Sequence, residues 1–201
     1  MSGTNPNTPR GLQPYAYTWG APYNGAVSTF YVPAGNGTAL YLGDPVVFTQ
    51  NSADAFGIPV VQIASAGSTN KITGVFMGRA NNANQNTIPV LQSNQVYLPA
   101  STAAYVYVCW DPNVIYWAQE DSVGGSMAYT SGGGNTAALV AGAGSTFTSF
   151  SGWQIQSSSI GTGTQVQVIQ PLPEIDNVVS STITYTNAKW LTRIVQRLPA
   201  Y

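Results

Sequence analysis

Histidine is missing from this chain and cysteine occurs once, at Cys109. Without histidine, Ser-His-Asp and Cys-His nucleophile systems are excluded, and general acid–base chemistry loses its usual residue. One cysteine cannot form an intrachain disulfide, and with no histidine it cannot complete a tetrahedral zinc site. Cys109 stands inside an apolar run, where a buried inert thiol is expected. Charge is scarce as well: 6% of residues are Asp, Glu, Lys or Arg, against about 25% in ordinary proteins. The six cations are Arg10, Lys71, Arg79, Lys189, Arg193 and Arg197, with none between 80 and 188. They form no patch suited to a phosphate backbone, so nucleic acid is not an expected partner. No apolar run reaches the about 20 residues of a membrane span, and no charged-then-apolar leader opens the chain. No GxxxxGK[ST] cradle and no EF-hand spacing occur, and no cofactor is expected.

What fills the space is neutral and polar: 18 Ser, 20 Thr, 15 Asn and 13 Gln in 201 residues. Such groups cost less to desolvate than charges, and a formal net charge of -1 offers little repulsion between copies. The composition therefore favours assembly against other protein.

The densest apolar segment runs from Ala103 to Gly125. Two strand-like runs, AAYVYVCW and VIYWA, are separated by Asp111-Pro112-Asn113, and that pattern reads as a β-hairpin at the centre of the core. Around it lie short strand-like runs at Val27 to Val32, Thr38 to Leu42, Val46 to Thr49, Ile58 to Ala64, Ile72 to Met77, Ile88 to Leu98, Phe147 to Ile155 and Thr164 to Ile169. Asn81 to Asn86 reads as a polar loop. The alanine run Ala137 to Ala141 allows a helical turn or two, limited by flanking glycines. Ser181 to Leu198 suits both a helix, with Lys189, Arg193 and Arg197 four apart, and a strand; its β-branched content favours the strand. Many short strands with frequent turn signals give an all-β fold, a β-sandwich or jelly-roll-like barrel, over residues 26–201 as a single domain.

Residues 1–25 carry Pro at 6, 9, 14 and 22 and read as an extended N-terminal arm. Tyr15, Tyr17 and Trp19 stand two apart and share a face of an extended chain. With Tyr23 they either pack on the domain's own sheet or anchor the arm on a neighbouring subunit. Of the seven carboxylates, a glycosidase would need two facing a sugar. Adjacent Glu120 and Asp121 point to opposite faces of a strand, and Glu174 and Asp176 lie in a Pro-flanked loop. Turn capping accounts for these better than catalysis, so no enzyme is expected. Asn36-Gly37-Thr38 matches a glycosylation acceptor, without further support.

Several stretches, in order along nearly the whole chain, resemble one family. They are Pro9-Arg10-Gly11-Leu12, Gly20-Ala21-Pro22-Tyr23-Asn24-Gly25, Gly43-Asp44-Pro45-Val46-Val47, Ile72-Thr73-Gly74-Val75, Pro99-Ala100-Ser101-Thr102, Asp111-Pro112 with Gln119-Glu120-Asp121, and Ala188-Lys189-Trp190. The chain resembles the capsid decoration, or cement, proteins of tailed bacteriophages and prophages. The resemblance implies a non-enzymatic virion protein on the outer surface of the head, made in the bacterial cytoplasm. It would join neighbouring major capsid protein subunits as a homo-oligomer, a trimer before a dimer. A host-recognition fibre or glycan-binding module is the alternative. Tyr15, Tyr17, Trp19, Tyr23, Glu120 and Asp121 are the candidate interface residues.

Overall fold

Gly and Pro cut the chain into β-branched and aromatic runs too short for helices, and the strands follow those cuts. The computed structural model describes residues 3–80, 96–180 and 185–196. Over these it is all β, with two single-turn 3₁₀ segments. The strands are β1 (Gly3–Thr4), β2 (Gln13–Tyr17), β3 (Ser28–Val32), β4 (Pro45–Ala53), β5 (Pro59–Ile63), β6 (Gly74–Arg79) and β7 (Ala104–Cys109). They continue with β8 (Val114–Gln119), β9 (Thr136–Ala137), β10 (Leu139–Val140), β11 (Gln154–Ile155), β12 (Val166–Pro171), β13 (Tyr185–Thr186) and β14 (Lys189–Ile194). A closed barrel runs β3-β5-β4-β6-β7, and a separate five-stranded sheet runs β2-β8-β14-β12-β9.

The expected central hairpin does not form. β7 pairs with β3 and β6, whereas β8 pairs with β14 and β2. With both edges of each strand occupied, 110–113 carries the chain from barrel to sheet. Asp111 holds this corner by accepting the Asn113 N–H at 2.8 Å. Trp110 pins it to the barrel, set edge-on to Phe30 and Phe48 and donating its indole N–H to Ser28 Oγ.

Strand alternation divides the apolar residues between two cores. Phe30, Val46, Phe48, Phe76, Val106 and Val108 fill the barrel, while Val75 and Cys109 face outward into a second core with Val114, Tyr116, Ala118 and Trp190. The β6–β7 wall is thus buried on both faces, which accounts for the unbroken apolar run in β7. Tyr116 crosses between the layers, donating its hydroxyl to the Cys109 carbonyl at 3.2 Å.

Other sequence expectations are met unevenly. Thr38 to Leu42 contributes only bridges, Leu40 to Leu98 and Leu42 to Phe150. The alanine run forms β9 and β10 instead of a helical turn, because Ser159 Oγ and Gln165 Oε1 capture the Ala138 and Leu139 N–H groups. Lys189 to Ile194 is a strand, as its β-branched content indicated. The Asn81 to Asn86 loop and the Ile88 to Leu98 run, apart from its last three residues, lie outside the described residues, as does Arg197.

Residues 3–17 are part of the same fold and no free arm. β1 pairs in parallel with β13, and β2 is an edge strand on β8. The chain then folds back over that edge, with Tyr17 N–H to Ala21 O at 2.8 Å and Tyr23 N–H to Tyr15 O at 3.2 Å. Buried amides stitch these segments where charges are scarce. The Gln119 amide joins three backbone groups: its Nε2 donates to the Pro6 and Asn187 carbonyls, and its Oε1 accepts the Thr8 N–H. Thr192 is equally buried, but its hydroxyl has no partner.

Gln119→Ala strands two carbonyls and an N–H, and is expected to lower stability by about 3 kcal/mol. Thr192→Val removes an unused hydroxyl from a strand and is expected to raise stability by up to about 1 kcal/mol. Denaturant midpoints at unchanged slope check both signs.

Candidate functional site

The six candidate interface residues separate. Trp19 is 64% exposed and Tyr15 43% exposed, whereas Tyr17 is buried. Gly20, at φ +90°, closes a turn by bonding back to the Tyr17 carbonyl. That turn lays the Trp19 ring flat on Tyr17, with centroids 4.7 Å apart and planes 4° apart. Tyr23 packs against Tyr17 and donates its hydroxyl to Ala26 O. Burial, with the Cys109 thiol beside it, pushes the Tyr23 phenol well above its usual range. An aromatic shelf is therefore built from this group, with Trp19 as its exposed surface.

Glu120 is not on a surface: it is fully buried. Its carboxylate accepts N–H bonds from Met127 (2.6 Å) and Ala188 (3.3 Å), so it positions two loops against the end of β8. Burial pushes its pKa up to about 7 against these bonds, and the neighbouring Asp121 charge adds to the rise. Half-buried Asp121 accepts from Ser157 N, Ser157 Oγ and Val123 N. The other five carboxylates are also engaged. Asp44 accepts from Tyr41 N, Asp54 from Phe56 N, Ile58 N and Tyr105 Oη, and Asp111 from Asn113 N; Glu174 and Asp176 face Lys189. No group of three His, Cys, Asp or Glu side chains able to hold a metal is found among the described residues.

The five most exposed apolar side chains share a setting: each stands at a hydrogen-bonded turn. Besides Trp19, Phe56 is 74% exposed on a turn closed by Asp54 Oδ1, and Val123 is 66% exposed beside Asp121 Oδ1. Phe147, 97% exposed, tops a loop closed by Ser149 N–H to Ser145 O at 2.7 Å. Ile175 is entirely exposed on the turn where Asn177 N–H meets Glu174 O at 3.1 Å. A fixed backbone beneath a large apolar group lowers the ordering cost of a contact.

Sequence reasoning passed over a pocket of about 310 Å³ lined by Thr8, Pro9, Arg10, Ser145, Thr148 and Phe150, among others. Two of the resemblance motifs meet behind it. Leu12 N–H bonds to Gly43 O at 2.9 Å, and a Cβ on Gly43 would lie 2.1 Å from Arg10 O. Gly43 also has φ +93°, so only glycine suits the approach. Arg10 is exposed, with its guanidinium 4.7 Å from the centroid of the Phe150 ring. Ser151, on the pocket wall, bonds to buried Asp44, whose carboxyl is pushed up to about 6 by burial against that bond and the Tyr41 N–H. Beyond Gly43, the glycines at 142 and 152 signal the close backbone packing here, and Gly144 leaves room for the Tyr41 ring; Phe150 stands in no motif.

No known protein family, no curated protein and no solved structure matches this chain.

Glu120 and Asp44 both have native pKa values above their unfolded ones, 4.5 and 3.8. The folded chain keeps these protons after the unfolded chain has released them, so stability falls as pH rises through this range. Melting temperature is expected to decline from about pH 4.5 to about 7, and the slope to flatten in the Glu120→Gln, Asp44→Asn double variant. Asp54 acts in the opposite sense at the acid end. Desolvation raises it, but the Tyr105 hydroxyl and the Ile58 and Phe56 N–H groups together outweigh that and hold it below its usual value. A pH-independent melting temperature in the wild-type chain over this range would contradict the assignment.

Proposed function

We propose that this chain is a non-enzymatic structural virion protein. It decorates the exterior of a tailed-phage head and cements neighbouring major capsid protein subunits, assembled as a homo-oligomer, a trimer before a dimer. The observation that carries this reading is the set of large apolar side chains held out on hydrogen-bonded turns: Trp19, Phe56, Val123, Phe147 and Ile175. Preset apolar contacts on a surface with few charges suit seams between subunits, where desolvation is cheap. Many modest contacts, one set per copy, add up through multivalency on a shell. The motif resemblance along the chain supports the same reading. The engagement of all seven carboxylates in turns, loops or ion pairs is compatible with it.

A second reading is favoured by one feature, the Trp19–Tyr17 shelf. A flat exposed indole suits stacking on a sugar ring, as a host-recognition module would require.

Purified protein is expected to pellet with heads that lack it and to restore their heat resistance. Trp19→Ser should weaken that binding by roughly thirtyfold, the size of an interface hot spot. Glu120→Gln with Asp121→Asn should leave it intact wherever the variant folds. Heads that neither bind the chain nor gain resistance from it would sink the cement reading. Retention on bacterial surface polysaccharide, lost in Trp19→Ser, would establish the second.

A further inference from the structure

The Arg10 pocket holds a cation without an acid. Among the described residues the ion pairs belong to Lys189, and none reaches Arg10. Stacking on Phe150 occupies one guanidinium face and leaves its N–H edge for an acceptor. Two wall hydroxyls are half-used in the same way. Ser145 Oγ accepts the Thr148 N–H and Thr148 Oγ1 accepts the Phe150 N–H, so each still has its own proton to donate. Phe147, between these two residues in sequence, adds a fully exposed ring. Planar N–H donors, two hydroxyls and a ring call for a carboxylate flanked by an apolar side chain.

The chain carries that combination itself. Glu174-Ile175-Asp176 is a turn with Ile175 entirely exposed between two carboxylates. Lys189 Nζ holds Glu174 at 2.7 Å but is 3.7 Å from Asp176, whose side chain is 63% exposed. Asp176 is the freer acid.

We infer that the Arg10–Phe150 pocket receives the Glu174–Asp176 turn of a second copy of this chain, with Asp176 on Arg10 and Ile175 against Phe147. Pocket and turn are different patches, so the contact is head-to-tail, and each copy offers one patch to each of two neighbours. Such a contact closes into a ring or extends into a chain. The low net charge leaves little to oppose it. This deepens the self-assembly proposed above and is tested on the isolated chain, so its failure and a failure to bind heads are read separately.

The test is sedimentation velocity of the full chain over a concentration series, with circular dichroism to verify folding. Arg10→Glu disables the pocket, and Ile175→Ser with Asp176→Ser disables the turn; all three side chains are exposed, so the fold should persist. Wild type is expected to associate, and each variant alone to associate at least roughly thirtyfold more weakly. Mixing the two variants should restore pairing but stop at dimers, because one intact pocket meets one intact turn. A monomeric wild type, variants that associate like wild type, or a mixture that stays monomeric would each overturn the contact. Loss of head binding in Arg10→Glu alongside a monomeric wild type would also overturn it, and would assign the pocket to an acidic loop of the capsid protein.

Discussion

The barrel wall formed by β6 and β7 is the constraint on which the other parts depend. Its inward side chains close the barrel core and its outward ones, Val75 and Cys109, floor the second core beneath the five-stranded sheet. A wall buried on both faces tolerates no polar alternation, so the chain runs apolar through β7. The Tyr116 hydroxyl on the Cys109 carbonyl then fixes the sheet over the wall. Loosening that wall would loosen both cores together.

With so few charges, long-range order among the loops rests on amides. Asn5, Gln119, Gln165 and Asn177 each link backbone groups from separate segments, for example Gln165 to Ser65, Asn70 and Leu139. An amide both donates and accepts, so one side chain can satisfy two or three stranded backbone groups without the desolvation cost of an ion. Part of the Asn and Gln content that suggested an assembling surface is therefore internal mortar. Glu120 is the exception, a buried carboxyl doing an amide's work, and burial raises its pKa for that reason.

The surface follows a related logic. Turns closed by Asp54, Asp121, Ser145 and Asn177 hold up Phe56, Val123, Phe147 and Ile175. Stiff supports under apolar tips make contacts that lose little entropy on binding. The Trp19 shelf works in the same way, resting an exposed ring on a buried one.

Residue pattern alone determined the all-β class, the strand at Lys189 to Ile194, the core role of the apolar runs on either side of 110–113 and the turn role of most carboxylates. These follow from local chemistry: β-branched content, Gly and Pro punctuation, and side chains that bond to adjacent backbone. Tertiary structure alone decided that the two apolar runs enter different sheets, because strand partners are chosen by which edges remain open and not by sequence proximity. It also decided that the N-terminal segment is stitched into its own fold and that Glu120 lies inside. The pocket came the same way. Arg10 and Phe150 are 140 positions apart in sequence, and they meet because the 42–43 stretch bonds to both segments, Leu42 to Ser149 and Ser151 and Gly43 to Leu12.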